Sequence, residues 1–199
     1  MGTGAKTMVS PDDVLKFWLD ECTPNQWFKQ DDAFDETIRE RFGAAWEGAT
    51  EGQYALWLTY PNGALAYTIL TDQFPRNMFR DDARAYATDR AALAAAKSAI
   101  ARGWDLRIDP PARVFFYMAL EHSESLADQD RAVRLISQRM EDAMFLLHAR
   151  AHREVIRKFG RFPHRNAVLG RKTTAAEQVH IDEGGYGEIV RTMQQDEAA

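Results

Sequence analysis

Residues 142–166 read DAMFLLHARAHREVIRKFGRFPHRN, and their order decides the fold. Phe145, Ala149, His152, Ile156 and Phe159 recur at three- and four-residue steps, the period of one face of an α-helix. Gly160 follows the last apolar position, where a helix turns left-handed and stops. The next six residues, Arg161-Phe162-Pro163-His164-Arg165-Asn166, place an aromatic, a proline, two arginines and an asparagine in a turn. Nearly the same phrase stands earlier, as Gln73-Phe74-Pro75-Arg76-Asn77, again behind a segment of helical period. A scaffold does not need one polar phrase at two helix ends. A shared polar site, or a shared structural plug, does.

Helical punctuation extends outward from this segment. Ser10-Pro11-Asp12-Asp13 supplies an N-cap, a first-turn proline and acids that favour the positive end of the helix dipole. Phe34, Ile38, Phe42, Ala45, Trp46 and Ala49 predict a second helix over roughly residues 31–50. Trp27 and Phe28 fall between these two helices and read as loop. Leu65, Ile69 and Leu70 mark a third, short helix, expected to end near Phe74-Pro75 because proline breaks helix interiors. An alanine-rich fourth, roughly 82–102, stops at Gly103; its small residues let a neighbouring helix approach closely. Asp109-Pro110-Pro111 opens a fifth through about Glu121. A sixth spans roughly 126–141, a seventh 142–159, and Thr174-Ala175-Ala176-Glu177 is a capping box for an eighth.

No run of period two stands beside a hairpin turn, so the reading is all-α: antiparallel helical hairpins stacked in a tetratricopeptide-repeat-like array. Residues 10–183 are expected as a single α-helical domain. They follow a disordered leader or expression remnant over 1–9 and precede a polar tail over 184–199.

Bulk composition narrows the function. With 199 residues, 45% hydrophobic and 28% charged, the chain is long enough for a sizeable core and typical of globular proteins. A net charge of −5 disfavours nucleic acid, whose phosphates call for a basic face. No run approaches the roughly 20 apolar residues of a membrane span. The single cysteine, Cys22, excludes an internal disulfide and a multi-thiolate metal site, and agrees with a cytoplasmic location. Glycine-rich phosphate loops are absent, and no cofactor is implied. His148 and His152 stand four apart on the seventh helix, but Ala149 occupies the place of the glutamate such a metal pair uses, so His152 reads as a core histidine.

If helices three, five and seven run the same way, their C-terminal ends share one side. Asp72, Gln73, Arg76 and Asn77 would then converge with Glu121, His122 and Glu124, and with Arg161, His164, Arg165 and Asn166. The starts of intervening helices would add backbone N–H donors. Three functions fit this cluster. A binding module would hold an anionic small molecule or peptide group on the arginines. A cofactor-independent enzyme would pair His122 or His164 with Glu121 or Glu124 as acid and base. A structural or assembly protein would use the same residues only to lock helix ends. Flat apolar faces of a helical stack admit a homodimer.

At Asp72-Gln73-Phe74-Pro75-Arg76-Asn77, Glu121-His122-Ser123-Glu124 and Phe159 to Asn166 the chain resembles a bacterial family, domain of unknown function 924. The likeness runs from about Val14 to about Ile181 and includes Trp27-Phe28, Phe34-Asp35 and Leu169-Gly170-Arg171. It implies an all-helical fold similar to tetratricopeptide repeats, and brings no established reaction, substrate or cofactor.

Overall fold

The computed structural model describes residues 8–198, and these are all-α with no strand among them. Eleven α-helices follow in order: α1 Pro11–Leu15, α2 Pro24–Phe28, α3 Asp32–Thr50, α4 Pro61–Thr68, α5 Phe74–Met78, α6 Asp89–Ala101, α7 Val114–Glu121, α8 Leu126–Arg139, α9 Ala143–Phe159, α10 Ala175–Asp182 and α11 Gly185–Ala198. The expected leader lies, except for Met8 and Val9, outside the described residues. The chain forms two compact units, one holding α1–α6 and the other α7–α11.

In the first unit an aromatic core forms where α3, α5 and the π-helical turn Lys16–Glu21 after α1 supply rings. Phe42 and Phe74 lie 4.7 Å apart between centroids, and Trp18 meets Phe74 edge-on at 5.4 Å. Such tilted and edge-on pairs suit the quadrupoles of the rings as well as burying their area. Trp27 and Phe28 depart from the loop reading. Pro24 at the first turn and a Thr23–Gln26 capping box start the short helix α2, and the Trp27 indole donates to the Trp18 carbonyl at 2.7 Å. One close approach depends on a glycine: a Cβ on Gly63 would stand 2.3 Å from the Trp57 carbonyl oxygen.

The third expected helix does not end at Pro75. From Pro61 the chain stays helical through α4, widens into a π-helical turn over Ile69–Gln73, and continues as α5 to Met78. The wider turn resets the hydrogen-bond register, so Pro75 falls in a first turn, where a missing N–H is tolerated. The Thr71 carbonyl, which an amide at position 75 would otherwise bond, is reached by the Thr88 hydroxyl at 2.6 Å. The Trp46 indole in turn donates to that hydroxyl at 3.1 Å. Thr88 stands at the N-cap of α6 but does not cap it with its side chain, because the hydroxyl is committed to Thr71. The alanine-rich helix accordingly starts at Asp89 rather than near 82, behind one 3-10 turn over Ala83–Tyr86.

In the second unit α7, α8 and α9 pack in succession through short connections, as helical hairpins do. α9 starts on the Asp142 side chain and ends on left-handed Gly160 at φ 69°, a conformation glycine adopts without strain. Residues 185–198, expected as loose polar tail, form α11. Ile189 of α11 packs with Ala151, Val155 and Ile156 of α9 and with Phe162, flanked by Tyr186, Val190 and Met193. Its apolar residues are spaced for one helical face, a period hidden by the polar composition around them.

Thr88→Val keeps the shape of the side chain and removes both of its hydrogen bonds. It strands a buried carbonyl and a buried indole N–H, so denaturant unfolding is expected to register a loss of about 2–4 kcal/mol. Thr88→Ser restores most of it.

Candidate functional site

The structure gathers the predicted polar residues into two sets, one in each unit. In the first, Asp72 is 1% exposed and faces Arg76, whose guanidinium lies 3.2 Å from the Asp72 carboxylate and 2.9 Å from that of Asp89. Arg76 also donates to the Asp72 backbone carbonyl at 2.6 Å, and Gln73 donates to the Asp72 side chain at 2.6 Å. Burial alone disfavours the Arg76 charge, yet the two carboxylates outweigh it and hold the group above the ordinary arginine range. Asn77 donates to Asp35 at 2.9 Å, and Arg80 grips the same carboxylate. Asp35, Arg80 and Asp89 complete this set, and sequence reading assigned them no role there.

In the second set Arg161 forks onto Glu177, with bonds of 2.6 and 2.8 Å, and also donates to the Lys172 carbonyl at 2.9 Å. Asn166 donates to Glu177 at 3.3 Å, and the Thr174 amide does so at 2.7 Å. Hydrogen bonding from Arg161 first, then from the Thr174 amide, holds the Glu177 carboxyl far below the usual carboxylate range. Glu124 takes the Phe162 amide at 2.8 Å and both terminal nitrogens of Arg171, at 2.7 and 3.0 Å. Burial raises its pKa, but the Arg171 and Phe162 hydrogen bonds prevail and lower it. Arg165 is buried over the Phe162 ring at 4.3 Å, while His164 is exposed with its ring 5.6 Å from the same phenyl.

The imidazole beside Glu121 is that of His152, 3.4 Å from the carboxylate, with the His122 ring 6.0 Å from His152. His152 also contacts the His148 carbonyl at 2.9 Å, and His148 meets the Tyr186 hydroxyl. Burial, and then the neighbouring His152, lower the His148 pKa, while burial raises that of Tyr186. Among the described residues no group of histidine, cysteine and carboxylate side chains could hold a metal ion.

Within the first unit lies a groove of about 380 Å³, at the small end of the range of roughly 300–1,000 Å³ for ligand pockets. Ala91, Ala94, Ala95 and Ala99 of α6 line it at three- and four-residue steps, opposite Ala64 and Tyr67 of α4. Methyl side chains leave the space that longer ones would fill. Tyr67 is 7% exposed, its hydroxyl has no hydrogen-bond partner among the described residues, and burial raises its pKa. Arg102 and Trp104 also line the groove, the guanidinium 4.7 Å above the indole. Arg102 has no carboxylate partner among the described residues. Sequence reading missed Tyr67, Arg102 and Trp104. The available signal was that Arg102 continues the Ala91, Ala94, Ala95, Ser98, Ala99 face of the alanine-rich helix.

Two outcomes test the paired sets. Arg76→Ala leaves Asp72 and Asp89 facing each other in a largely buried place, so a stability loss of about 3 kcal/mol is expected in denaturant unfolding. The Glu177 pKa is lower in the folded than in the unfolded chain, so its contribution is complete above the ordinary glutamate range. That contribution is lost as pH falls below about 5. Glu177→Gln should therefore flatten the acid side of the stability profile measured by thermal unfolding.

Comparison with known proteins places the chain. No curated protein matches it. The solved structure of protein of unknown function ATU0120 from Agrobacterium tumefaciens is similar to it at 41% identity and a TM-score of 0.83, over 87% of this chain and 97% of that one. The family described as bacterial protein of unknown function (DUF924) matches residues 14–185, and the chain belongs to that family.

Proposed function

We propose that the protein is a helical binding module for an anionic small molecule, and that the ligand is held in the groove between α4 and α6. The polar phrases act as locks: Arg76, Arg161 and Arg171 are each matched to carboxylates of their own unit. One observation carries the reading. Arg102 stands at an apolar groove with its guanidinium over Trp104 and no carboxylate to neutralise it. A cation kept at the edge of apolar space is a partner for an anion with an apolar body.

The acid–base reading has less support. Glu124 is held ionised by Arg171 and the Phe162 amide, which makes it a poor proton donor or acceptor near neutral pH.

Titration with 1-anilinonaphthalene-8-sulfonate, an apolar anion that fluoresces when bound in apolar surroundings, tests the proposal. The native protein should bind the dye. Arg102→Ala should weaken binding about tenfold or more, with the unfolding midpoint unchanged. Equal binding by the native protein and Arg102→Ala, or no binding by either, would refute it.

A further inference from the structure

The groove carries enough chemistry to name a ligand class, resting on the reading of it as the binding site. From Ala91 to Arg102 the α6 wall advances eleven residues, about 16 Å at the helical rise. The slot is therefore long and narrow for its volume of about 380 Å³. An extended peptide of that length would span about five residues. Each would bring an N–H and a C=O that need partners once buried. The walls supply few: alanine methyls and Leu58 dominate, and the hydroxyls of Tyr67 and Ser98 and the Trp104 indole N–H are the neutral polar side-chain groups present. A flexible hydrocarbon chain makes no such demand.

The head of the ligand follows from Arg102. One guanidinium, already stacked on Trp104, matches one carboxylate. A phosphate dianion recruits several donors, and the groove has a single cation. Tyr67 adds an independent constraint. It lines the groove, and its hydroxyl has no hydrogen-bond partner among the described residues and opens into the groove, where it can meet a polar atom of the ligand.

We infer that the groove binds an acyl monocarboxylate bearing a hydroxyl or keto oxygen on its chain. The chain lies along the alanine face of α6, the carboxylate meets Arg102, and the chain oxygen meets the Tyr67 hydroxyl.

Isothermal titration calorimetry on the full chain tests this with octanoate, octanol, octylamine, inorganic phosphate, hydroxyoctanoates substituted at successive carbons, and a pentapeptide with a free carboxylate. Octanoate should bind and octylamine should not. At least one hydroxyoctanoate should bind several-fold tighter than octanoate, and Tyr67→Phe should abolish that preference while octanoate binding persists. Arg102→Ala should weaken octanoate about tenfold to a hundredfold and leave octanol unchanged. Ala94 is exposed on the groove wall, so Ala94→Leu should fold and block the whole series. Octanol and octylamine binding as well as octanoate would overturn the carboxylate class while leaving the groove as a site. Preference for the pentapeptide or for phosphate would overturn it in favour of those ligands. If 1-anilinonaphthalene-8-sulfonate binds through Arg102 and no chain compound does, the class fails alone. If neither the dye nor any chain compound binds, the site itself fails.

Discussion

Pro75 has no amide hydrogen, and the first unit is arranged around that lack. A helix that ran on regularly would leave the Thr71 carbonyl unbonded in the core. The π-helical turn before Phe74 and the Thr88 hydroxyl resolve this together. Thr88 is also the residue from which α6 departs, so satisfying a carbonyl of one helix fixes where the next begins. Trp46 of α3 closes the arrangement by donating to the same hydroxyl. The consequences reach further along the chain. With α6 started at Asp89, that carboxylate stands against Arg76, and the alanines two to ten residues on face α4. Groove and ion pairs therefore share one origin in a backbone hydrogen bond that proline cannot make.

The repeated phrase has two structures. At residues 73–77 it lies inside a helical run, and Pro75 is absorbed by the wider turn before it. At residues 161–166 it follows the left-handed Gly160, and the chain leaves the helix for a single 3-10 turn over Pro163–Arg165. What persists is the chemistry: a phenylalanine in the core and neighbouring polar groups on carboxylates from other segments of the same unit. Asp35 and Asp89 serve the first copy, and Glu124 and Glu177 the second. Of these, the Asp35 and Glu124 contacts close the longest loops of sequence, which is where a lock has most effect on chain freedom.

The helices were legible because caps and apolar period agree locally. α3, α8 and α9 have nearly their expected bounds, and Thr174 and Gly160 act as their residue types predict. The misreadings share a physical cause. Pro75 and Thr88 follow tertiary demands that override local propensity, and α11 hides a narrow apolar stripe in polar composition. For the candidate site, residue type was visible and partnership was not. Arginine in a motif looks the same whether a carboxylate waits for it or not. Arg76 and Arg161 prove engaged, while Arg102, which belongs to no motif, is the one left facing the groove. Alanines at helical spacing signalled close helix packing, and the same spacing also describes a slot.

That slot has a consequence for how the family can diversify. Ala95 and Ala99 are packed in the core, whereas Ala91 and Ala94 reach the surface, so a larger residue fits at those two positions without disturbing the backbone that carries it. A valine or leucine at either would obstruct the slot, while the Thr88 relay and the carboxylate locks stay untouched. Single substitutions at the open edge of the alanine face thus change the slot and leave the fold alone. Relatives that share this scaffold can reshape the slot with no change to the interactions that fold them.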